Sequence, residues 1–432
     1  MSGATISAKD EHGFRALTAA LILLLGLQLL SLQGLWNPIA VSVSTGAALT
    51  ASLWWVHRRP LVFWIGVALL LPALGGGWWL SENAAVGVGG SPFHVAFFFY
   101  LAATVLVRLL KSERATEDTL LGSACAYILL SLAFASAYEA VEFFSPGAIS
   151  GLDPSGASGT LFSQLSYFSL VTLTTLGYGD LAPVHPFCQS LAIVESVIGV
   201  LFPALVVARI IGAYSLDGDN ALDSRESEWT REGRVTRVLF VFLPAIVLAL
   251  PWVQQTAWGG VVVAGLLLSM MVAGVYFISG RLRVLVGGVG ISLIACALRV
   301  LGGDFALLGV VLEVILISTV VGKMTVWFFR REEATTSVIL SAACIYWMIG
   351  IAFADTFGFI GHFFPAAVEA SPDDPLGAML YFSFMTLTTT GYGDIAPAIP
   401  LSRSLASVEA FVGVFYPAIV ISKLVSLYGR RK

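Results

Sequence analysis

Long apolar segments separated by short polar ones follow one another along almost the whole chain. Each covers about 20 residues, the length that a helix needs to cross roughly 30 Å of hydrocarbon. The segments lack the alternation of apolar and polar residues that is typical of membrane β-strands. The pattern therefore predicts an all-α membrane protein.

Twelve membrane-spanning helices are predicted, in two groups of six joined by a polar linker at Tyr214–Arg237. The first group is Phe14–Trp36, Pro38–Val56, Leu61–Leu80, His94–Leu110, Thr119–Phe144 and Phe187–Ala213. The second group is Val238–Trp252, Ala257–Ile278, Val284–Leu301, Phe305–Phe329, Ser337–Ile360 and Leu401–Leu427. These groups define two predicted repeats, 1–213 and 238–432, around the linker 214–237. Within them, helices one to four occupy 14–110 and 238–329, and pore modules occupy 119–213 and 337–428.

Composition strengthens the membrane prediction. Hydrophobic residues make up 57% of the chain and charged residues 12%, against roughly 45–50% apolar and about 25% charged in soluble domains. The mean hydropathy is +0.88. The first apolar segment is too long for a cleaved signal peptide, so we expect it to be retained as a span. The four cysteines form no CxxC pair, so neither a disulfide framework nor a zinc site is indicated.

The chain contains an internal repeat. The segment YFSLVTLTTLGYGDLAP at Tyr167–Pro183 recurs as YFSFMTLTTTGYGDIAP at Tyr381–Pro397, 214 residues later. Each repeat contains six predicted spans, an even number, so the second repeat enters the membrane in the same orientation as the first and both repeated loops open to the same side. The repeats are therefore predicted to be parallel, not inverted.

The distribution of basic residues predicts the orientation. With the N-terminus inside, all of the 23 lysines and arginines except Arg299 and Arg403 lie on the cytoplasmic side or at cytoplasmic helix ends. Outer segments carry acidic residues instead, which would concentrate cations there. We therefore expect a protein of the cell membrane, plasma or bacterial inner, with both termini in the cytoplasm.

A short re-entrant helix and a glycine-rich strand are predicted inside each repeated loop. The helices are Thr160–Thr174 and Leu376–Thr388, which are too short to span the membrane. The strands that follow are rich in threonine and glycine. A dehydrated cation needs closely spaced oxygen ligands, and glycine allows the backbone angles that turn successive carbonyls towards one axis. Irregular backbone at this depth must be lined by protein and face water or ions.

The sequence TxGYGD after a short apolar helix resembles the selectivity filter of the potassium channel pore-loop superfamily. The resemblance implies K⁺ coordination by the main-chain oxygens of Thr175, Leu176, Gly177, Tyr178, Gly179, Thr389, Thr390, Gly391, Tyr392 and Gly393. It places Asp180 and Asp394 at the outer mouth. Filters of this family contain four loops, so the resemblance also implies a homodimer, and the plan of two six-span units resembles the two-pore channels. The mixture of Leu176 and Thr390 leaves a cation channel of weak selectivity as an alternative.

Two further pairs of residues recur in the last helix of each repeat. Gly199 with Pro203, and Gly413 with Pro417, predict a bend that forms a gating hinge. Glu195 and Glu409 lie within the lipid thickness, where an unpaired carboxylate is costly. We expect them to support the filter from behind by packing against hydroxyl groups of the short helix.

The remaining expectations concern function. A voltage sensor needs arginines at every third position of the fourth span, and the fourth span lacks this pattern. Steep voltage gating is therefore not expected. We find no catalytic constellation, nucleotide-binding loop or nucleic-acid-binding feature, so the chain is predicted not to be an enzyme. It is expected to need the lipid bilayer and permeant K⁺ but no cofactor. A twelve-helix secondary transporter is the alternative from another class.

Overall fold

The computed structural model describes residues 17, 21, 63–70, 92–111, 117–153, 161–215, 231–254, 282–301, 303–332, 335–365, 367–368 and 375–429. The helices with defined bounds are α1 Pro92–Lys111, α2 Glu117–Phe144, α3 Leu161–Leu173, α4 Pro186–Ser215, α5 Arg231–Gln254, α6 Leu282–Leu301, α7 Gly303–Arg330, α8 Thr336–Phe363, α9 Pro375–Leu387 and α10 Pro400–Gly429. A helical segment also covers 63–70. Two short strands, β1 Ile149–Ser150 and β2 Ala182–Pro183, pair antiparallel.

The protein is an all-α membrane protein. Among the described residues, five helices are long and apolar enough to cross a membrane. Their apolar cores are Leu120–Phe144, Pro186–Val207, Leu307–Arg330, Ser337–Phe363 and Pro400–Leu427. Shorter apolar stretches lie in α1, α3, α5, α6 and α9.

The observed helices correspond to most of the predicted ones. The re-entrant helices α3 and α9 each contain 13 residues, and their bounds differ from the predicted bounds by a residue at each end. The predicted spans Pro38–Val56 and Ala257–Ile278 lie outside the described residues, as do nearly all of Phe14–Trp36 and much of Leu61–Leu80.

Two helices extend into the segment predicted as the linker. Helix α4 continues to Ser215, and α5 begins at Arg231 rather than at Val238. The first turns of α5 contain Arg231, Arg234 and Arg237, which the hydropathy pattern excluded from the span. Arginine is nevertheless a good helix former, so a helix can extend beyond its apolar core.

The chain folds as two compact units. The first contains 1–173 and 180–188, and the second contains 174–179 and 189–432. In the first unit, α2 packs against α1 and against the re-entrant helix α3. In the second unit, α8 is central and contacts α5, α7, α9 and α10. The second pore module, built from α8, α9 and α10, therefore lies entirely within one unit.

Candidate ion-conduction site

The strands predicted to form the filter, here called the filter strands, follow the C-terminal ends of helices α3 and α9 at Thr175–Gly179 and Thr389–Gly393. Helix α9 begins at Pro375, a residue suited to the first helical position because its missing N–H has no partner there anyway. Its side chains Met379 and Phe382 pack with Phe357 of α8 and with Val368. This apolar contact fixes the position from which the second filter strand leaves the helix.

The backbone of both filter strands alternates in the same way. Every second residue has a positive φ: Thr175 (57°), Gly177 (54°) and Gly179 (77°) in the first strand, and Thr389 (58°), Gly391 (55°) and Gly393 (79°) in the second. Glycine adopts these angles readily, as the sequence indicated. The two threonines were not expected there, because a β-branched residue at positive φ is an outlier.

The two strands lie against one another within the second compact unit. A Cβ atom added to Gly177 would collide with the main-chain oxygen of Thr390, and one added to Gly179 would collide with the oxygen of Tyr392. Both glycines must therefore lack a side chain if these carbonyls are to approach. The structure thus brings the two repeated motifs together, with carbonyls of the second strand directed at the first.

The side chain of Thr390 lies behind the strand. Its hydroxyl is 2.9 Å from the hydroxyl of Thr388, which is itself 2.7 Å from the main-chain oxygen of Phe384 in α9. Only 2% of Thr390 is exposed, whereas Leu176 at the equivalent position is 52% exposed. The hydroxyl that distinguishes Thr390 from Leu176 is therefore turned towards the re-entrant helix.

An aspartate follows each strand and is held by a tyrosine of the re-entrant helix. The hydroxyl of Tyr167 donates to Asp180 Oδ2 at 2.9 Å, and that of Tyr381 donates to Asp394 Oδ2 at 2.8 Å. Partial burial raises the pKa of the Asp394 carboxyl above its usual value, and the hydrogen bond from Tyr381 opposes this shift. Each aspartate is thus oriented by the helix that supports its own filter.

Comparison with known proteins identifies the family of the chain. The family described as "Ion channel" matches residues 126–215 and 333–430, which overlap the two predicted pore modules 119–213 and 337–428. Protein LctB of Bacillus caldotenax is 34% identical over 28% of this chain and 95% of its own length. The chain belongs to the potassium channel pore-loop superfamily. The channel family and the apolar helices imply a lipid bilayer and ions.

Two other relatives match parts of the channel. Protein LctB of Geobacillus stearothermophilus is 31% identical over 30% of this chain and 99% of its own length. The protein "Two pore potassium channel c" of Oryza sativa is 39% identical over 13% of this chain and 13% of its own length. No solved structure matches the channel significantly.

Behind the second filter, Ser383 connects α9 to the helices on either side. Its hydroxyl is 2.7 Å from the main-chain oxygen of Gly350 in α8 and 2.5 Å from Glu409 Oε1 in α10. Because a serine hydroxyl has one proton, an ionised Glu409 would leave one of these contacts without a proton. A protonated Glu409 satisfies both, with Glu409 donating to Ser383 and Ser383 donating to Gly350.

The environment of Glu409 also favours the neutral acid. Glu409 is fully buried, and its Oε2 atom has no hydrogen-bond partner among the described residues. An ionised carboxylate in such a position would be costly. Glu195, the equivalent residue of the first module, is also fully buried.

A serine hydroxyl also connects the re-entrant helix to the preceding span in the first module. Ser169 Oγ donates to the main-chain oxygen of Ser131 at 2.7 Å and lies 3.1 Å from the Ser131 hydroxyl. In the second module, the main-chain oxygen of Gly350 is the equivalent acceptor, and it binds the hydroxyl of Ser383. Gly350 is required there because a Cβ would lie 2.6 Å from the ring of Phe384.

The last carbonyl of each re-entrant helix accepts a hydrogen bond that the sequence analysis missed. The Tyr127 hydroxyl in α2 donates to the oxygen of Leu173 at 2.6 Å, and the Tyr346 hydroxyl in α8 donates to that of Leu387 at 3.1 Å. The last carbonyls of a helix have no hydrogen-bond donor within the helix, and each tyrosine hydroxyl supplies one. Tyr127 and Tyr346 are 219 residues apart, whereas the repeated motif recurs after 214, so the offset of the motif does not pair these two tyrosines.

Gly413 has a packing role that the sequence did not reveal. A Cβ atom at this position in α10 would collide with the oxygen of Leu387 and lie 2.7 Å from its carbonyl carbon. Helix α10 therefore crosses the end of α9 so closely that the main chains of the two helices are in contact at Gly413 and Leu387. Pro203 lies inside α4, and Pro417 lies inside α10, one turn after Gly413. The predicted hinge stays a prediction. Gly413 is needed for the close contact with α9 whether or not α10 bends.

The loop before each re-entrant helix pairs with the segment after its filter. In the first module, Ile149 pairs with Pro183 and Ser150 with Ala182. In the second, Val368 forms an antiparallel bridge with Pro397. Main-chain hydrogen bonds therefore hold the outer end of each filter to its own module.

Proposed function

We propose that this channel conducts K⁺ selectively and passively, through a filter formed by four pore loops of a homodimer. The observation that carries the proposal is the filter backbone. Two strands with the same alternation of positive φ lie side by side, and the oxygens of Thr390 and Tyr392 face the other strand. Rings of such carbonyls replace the hydration shell of K⁺ in known filters.

Two copies of the chain are needed because one copy supplies only two filter strands. The filter residues Thr175–Gly179 and Thr389–Gly393 would then each occur twice around one axis. Asp180 and Asp394 would place negative charge at the outer mouth, where it attracts cations. The printed name of the rice relative, a potassium channel, supports K⁺ as the permeant ion.

A weakly selective cation channel is the second candidate, because Leu176 and Thr390 make the ring chemically unequal. The position of the Thr390 side chain favours strict selectivity over this alternative. Its hydroxyl bonds to Thr388 and leaves only main-chain oxygens to face the ion. The difference between the two residues would then alter the support of the filter rather than its ligands.

Gating is proposed to depend only weakly on voltage. Within α1, the helix that corresponds to the predicted fourth span, basic residues occur only at its C-terminal end, at Arg108 and Lys111. A sensor needs several charges within the membrane field. We place the gate below the bends at Gly199 with Pro203 and at Gly413 with Pro417, in a cell-membrane protein whose termini are both cytoplasmic.

Recordings from purified protein in planar bilayers test the proposal. We expect unitary currents whose reversal potential in mixed K⁺ and Na⁺ follows the K⁺ gradient, with no steep dependence of opening on voltage. Gly177→Asp and Gly391→Asp should each abolish the current, because a side chain at these positions of positive φ strains the strand and because its charge would bind the ion. A reversal potential near zero under opposed K⁺ and Na⁺ gradients would favour the weakly selective channel.

A further inference from the structure

Helix α10 is attached to α8 at Tyr416, the residue before Pro417. The Tyr416 hydroxyl donates to the main-chain oxygen of Ala342 at 2.7 Å. The Tyr416 ring lies against that of Tyr346, with 5.6 Å between the ring centroids. A hydrogen bond and a ring contact therefore join the two helices beside the proline of α10.

This attachment lies at the weakest turn of α10. Pro417 has no N–H, so the carbonyl of Gly413, four residues earlier, cannot form its usual bond within the helix. Gly413 and Tyr416 therefore bracket the turn at which bending costs least. Because Gly413 is in main-chain contact with Leu387 of α9, both ends of this turn are held by the second pore module.

The part of α10 after Pro417 is packed as well. Val420, Leu424 and Leu427 follow Gly413 at helical spacing and are each at most 3% exposed. A bend at Pro417 would therefore either separate Tyr416 from α8 or move these three side chains out of their contacts.

The equivalent residue of α4 cannot form the same hydrogen bond. The repeat offset of 214 residues places Phe202 at the position of Tyr416, and Pro203 at that of Pro417. A phenylalanine ring can pack as a tyrosine ring does, but it has no hydroxyl to donate. The last helices of the two repeats thus carry the same proline and differ in the hydrogen bond beside it.

The acceptor is present in both repeats. Tyr127 and Tyr346 are equivalent, because each donates to the last carbonyl of its re-entrant helix. Ser123 and Ala342 lie four residues before them. The Ser123 hydroxyl donates to the oxygen of Leu120 within its own helix, and the Ser123 carbonyl has a second lone pair to offer. A single hydroxyl on the last helix therefore decides whether the bond forms.

We propose that Tyr416 is a positioning residue that holds α10 at its hinge, so that the gate opens mainly through bending of α4 at Pro203. This inference rests on the gate of the proposed function and gives the two last helices unequal parts in opening. A hydroxyl that only adds stability could lie anywhere along α10. Its place beside the proline makes it act on the bend.

The size of the effect follows from one hydrogen bond. Such a bond changes an equilibrium about fivefold, from a net contribution of about 1 kcal/mol. Tyr416→Phe should therefore make local opening of α10 about fivefold more frequent. Phe202→Tyr, the reciprocal variant, should make local opening of α4 about fivefold less frequent.

Amide hydrogen exchange of the full-length channel in lipid nanodiscs tests the inference, because exchange within a helix reports local opening. Rates are corrected for the intrinsic rate of each amide. In the wild type, we expect residues 204–215 to exchange faster than residues 418–429. Tyr416→Phe should raise exchange at 418–429 and Phe202→Tyr should lower it at 204–215, while exchange in α7 stays that of the wild type.

Three results would overturn the inference. The first is equal exchange in the two segments of the wild type, or faster exchange at 418–429. The second is an unchanged rate at 418–429 in Tyr416→Phe. The third is a rise in that variant that extends equally to α7, which would show that the hydroxyl contributes only to general stability.

Single-channel recordings of the same preparations give a readout that a purely structural role would not move. Tyr416→Phe should shorten the mean open and closed times, and Phe202→Tyr should lengthen them, while the ratio of K⁺ to Na⁺ permeability stays that of the wild type. Unchanged dwell times in both variants would contradict the assigned role.

The recordings also separate this inference from the proposed function. A K⁺-selective wild-type current with equal exchange in the two segments refutes the unequal hinge alone. The expected exchange pattern without a K⁺-selective current refutes the proposed function alone.

Discussion

Replacing Gly413 by alanine should destabilise the channel and disturb the second filter. The added methyl group would overlap the carbonyl of Leu387, the last residue of α9. Neither partner can yield by rotating a side chain, because the atoms met are main-chain atoms. Helix α10 must therefore move away from α9, or the end of α9 must shift and carry the filter strand with it.

The size of the effect follows from two opposing terms. Overpacking typically costs about 1–3 kcal/mol, and a contact with immobile backbone belongs at the upper end of that range. Alanine in a helix interior is favoured over glycine by about 1 kcal/mol. The net destabilisation is therefore about 2 kcal/mol, roughly a 30-fold change in the folding equilibrium by the usual conversion of 1.4 kcal/mol for each tenfold.

Gly358→Ala provides the matched control. Gly358 lies in α8, and no described atom is within 4 Å of its Cβ position. That substitution should raise the free energy of unfolding by up to about 1 kcal/mol through helix propensity alone. Thermal unfolding of the purified channel in detergent, together with K⁺ over Na⁺ permeability ratios, measures both variants.

The hinge and packing explanations of Gly413 make different predictions. A pure hinge predicts that Gly413→Ala changes the open probability but leaves thermal stability and permeability ratio intact. Close packing predicts a lower Tm and an altered filter. Equal Tm values for the Gly413→Ala and Gly358→Ala variants would refute the packing argument.

Three further substitutions follow from the hydrogen bonds around the filter. Tyr346→Phe removes the donor to the last carbonyl of α9 and should lower the free energy of unfolding by about 1 kcal/mol, measured by chemical denaturation; an unchanged midpoint would contradict the bond. Ser383→Ala should cost about 1–3 kcal/mol by leaving the Glu409 carboxyl buried without its partner, and Ser383→Thr, which keeps the hydroxyl, should recover part of the loss in the same assay. The raised pKa of Asp394 predicts that conductance at low salt begins to fall, as the pH decreases, at a higher pH than for a free aspartate, because protonation removes a negative charge from the mouth. Tyr381→Phe removes the bond that favours the carboxylate and should move this midpoint to still higher pH in single-channel recordings, whereas a shift to lower pH would show that the bond does not act on Asp394.

The sequence predicted the parts of the fold that depend on local patterns. The length of the apolar segments gave most described helices to within a few residues, and the duplicated motif located α3 and α9. The start of α5 was not predicted because hydropathy does not register the arginine-rich first turns of this helix. The length of an apolar segment predicts only the part of a helix that lies in the lipid, whereas residues of high helix propensity can extend the helix beyond the lipid.

Contacts between elements were beyond the reach of these patterns. Thr175 and Thr389 were predicted to bind the ion through their main-chain oxygens, but their identity as threonines does not predict the positive φ that both adopt. Gly413 was read as a flexible point because glycine has the same identity at a bend and at a close crossing. Only the position of Leu387 distinguishes these two roles.

The pairing of Val368 with Pro397, and its counterpart between Ile149 and Pro183, has a consequence for how such a chain could arise. Each loop is tied back onto its own module by main-chain bonds, which depend little on side-chain identity. A duplicated module would thus keep the main-chain hydrogen bonds that hold its loop, and it would need no matched substitutions elsewhere to keep its shape. The loops before α3 and α9 can then diverge from one another in sequence, length and charge. Chimaeras that exchange whole modules should retain the shape of each donor loop.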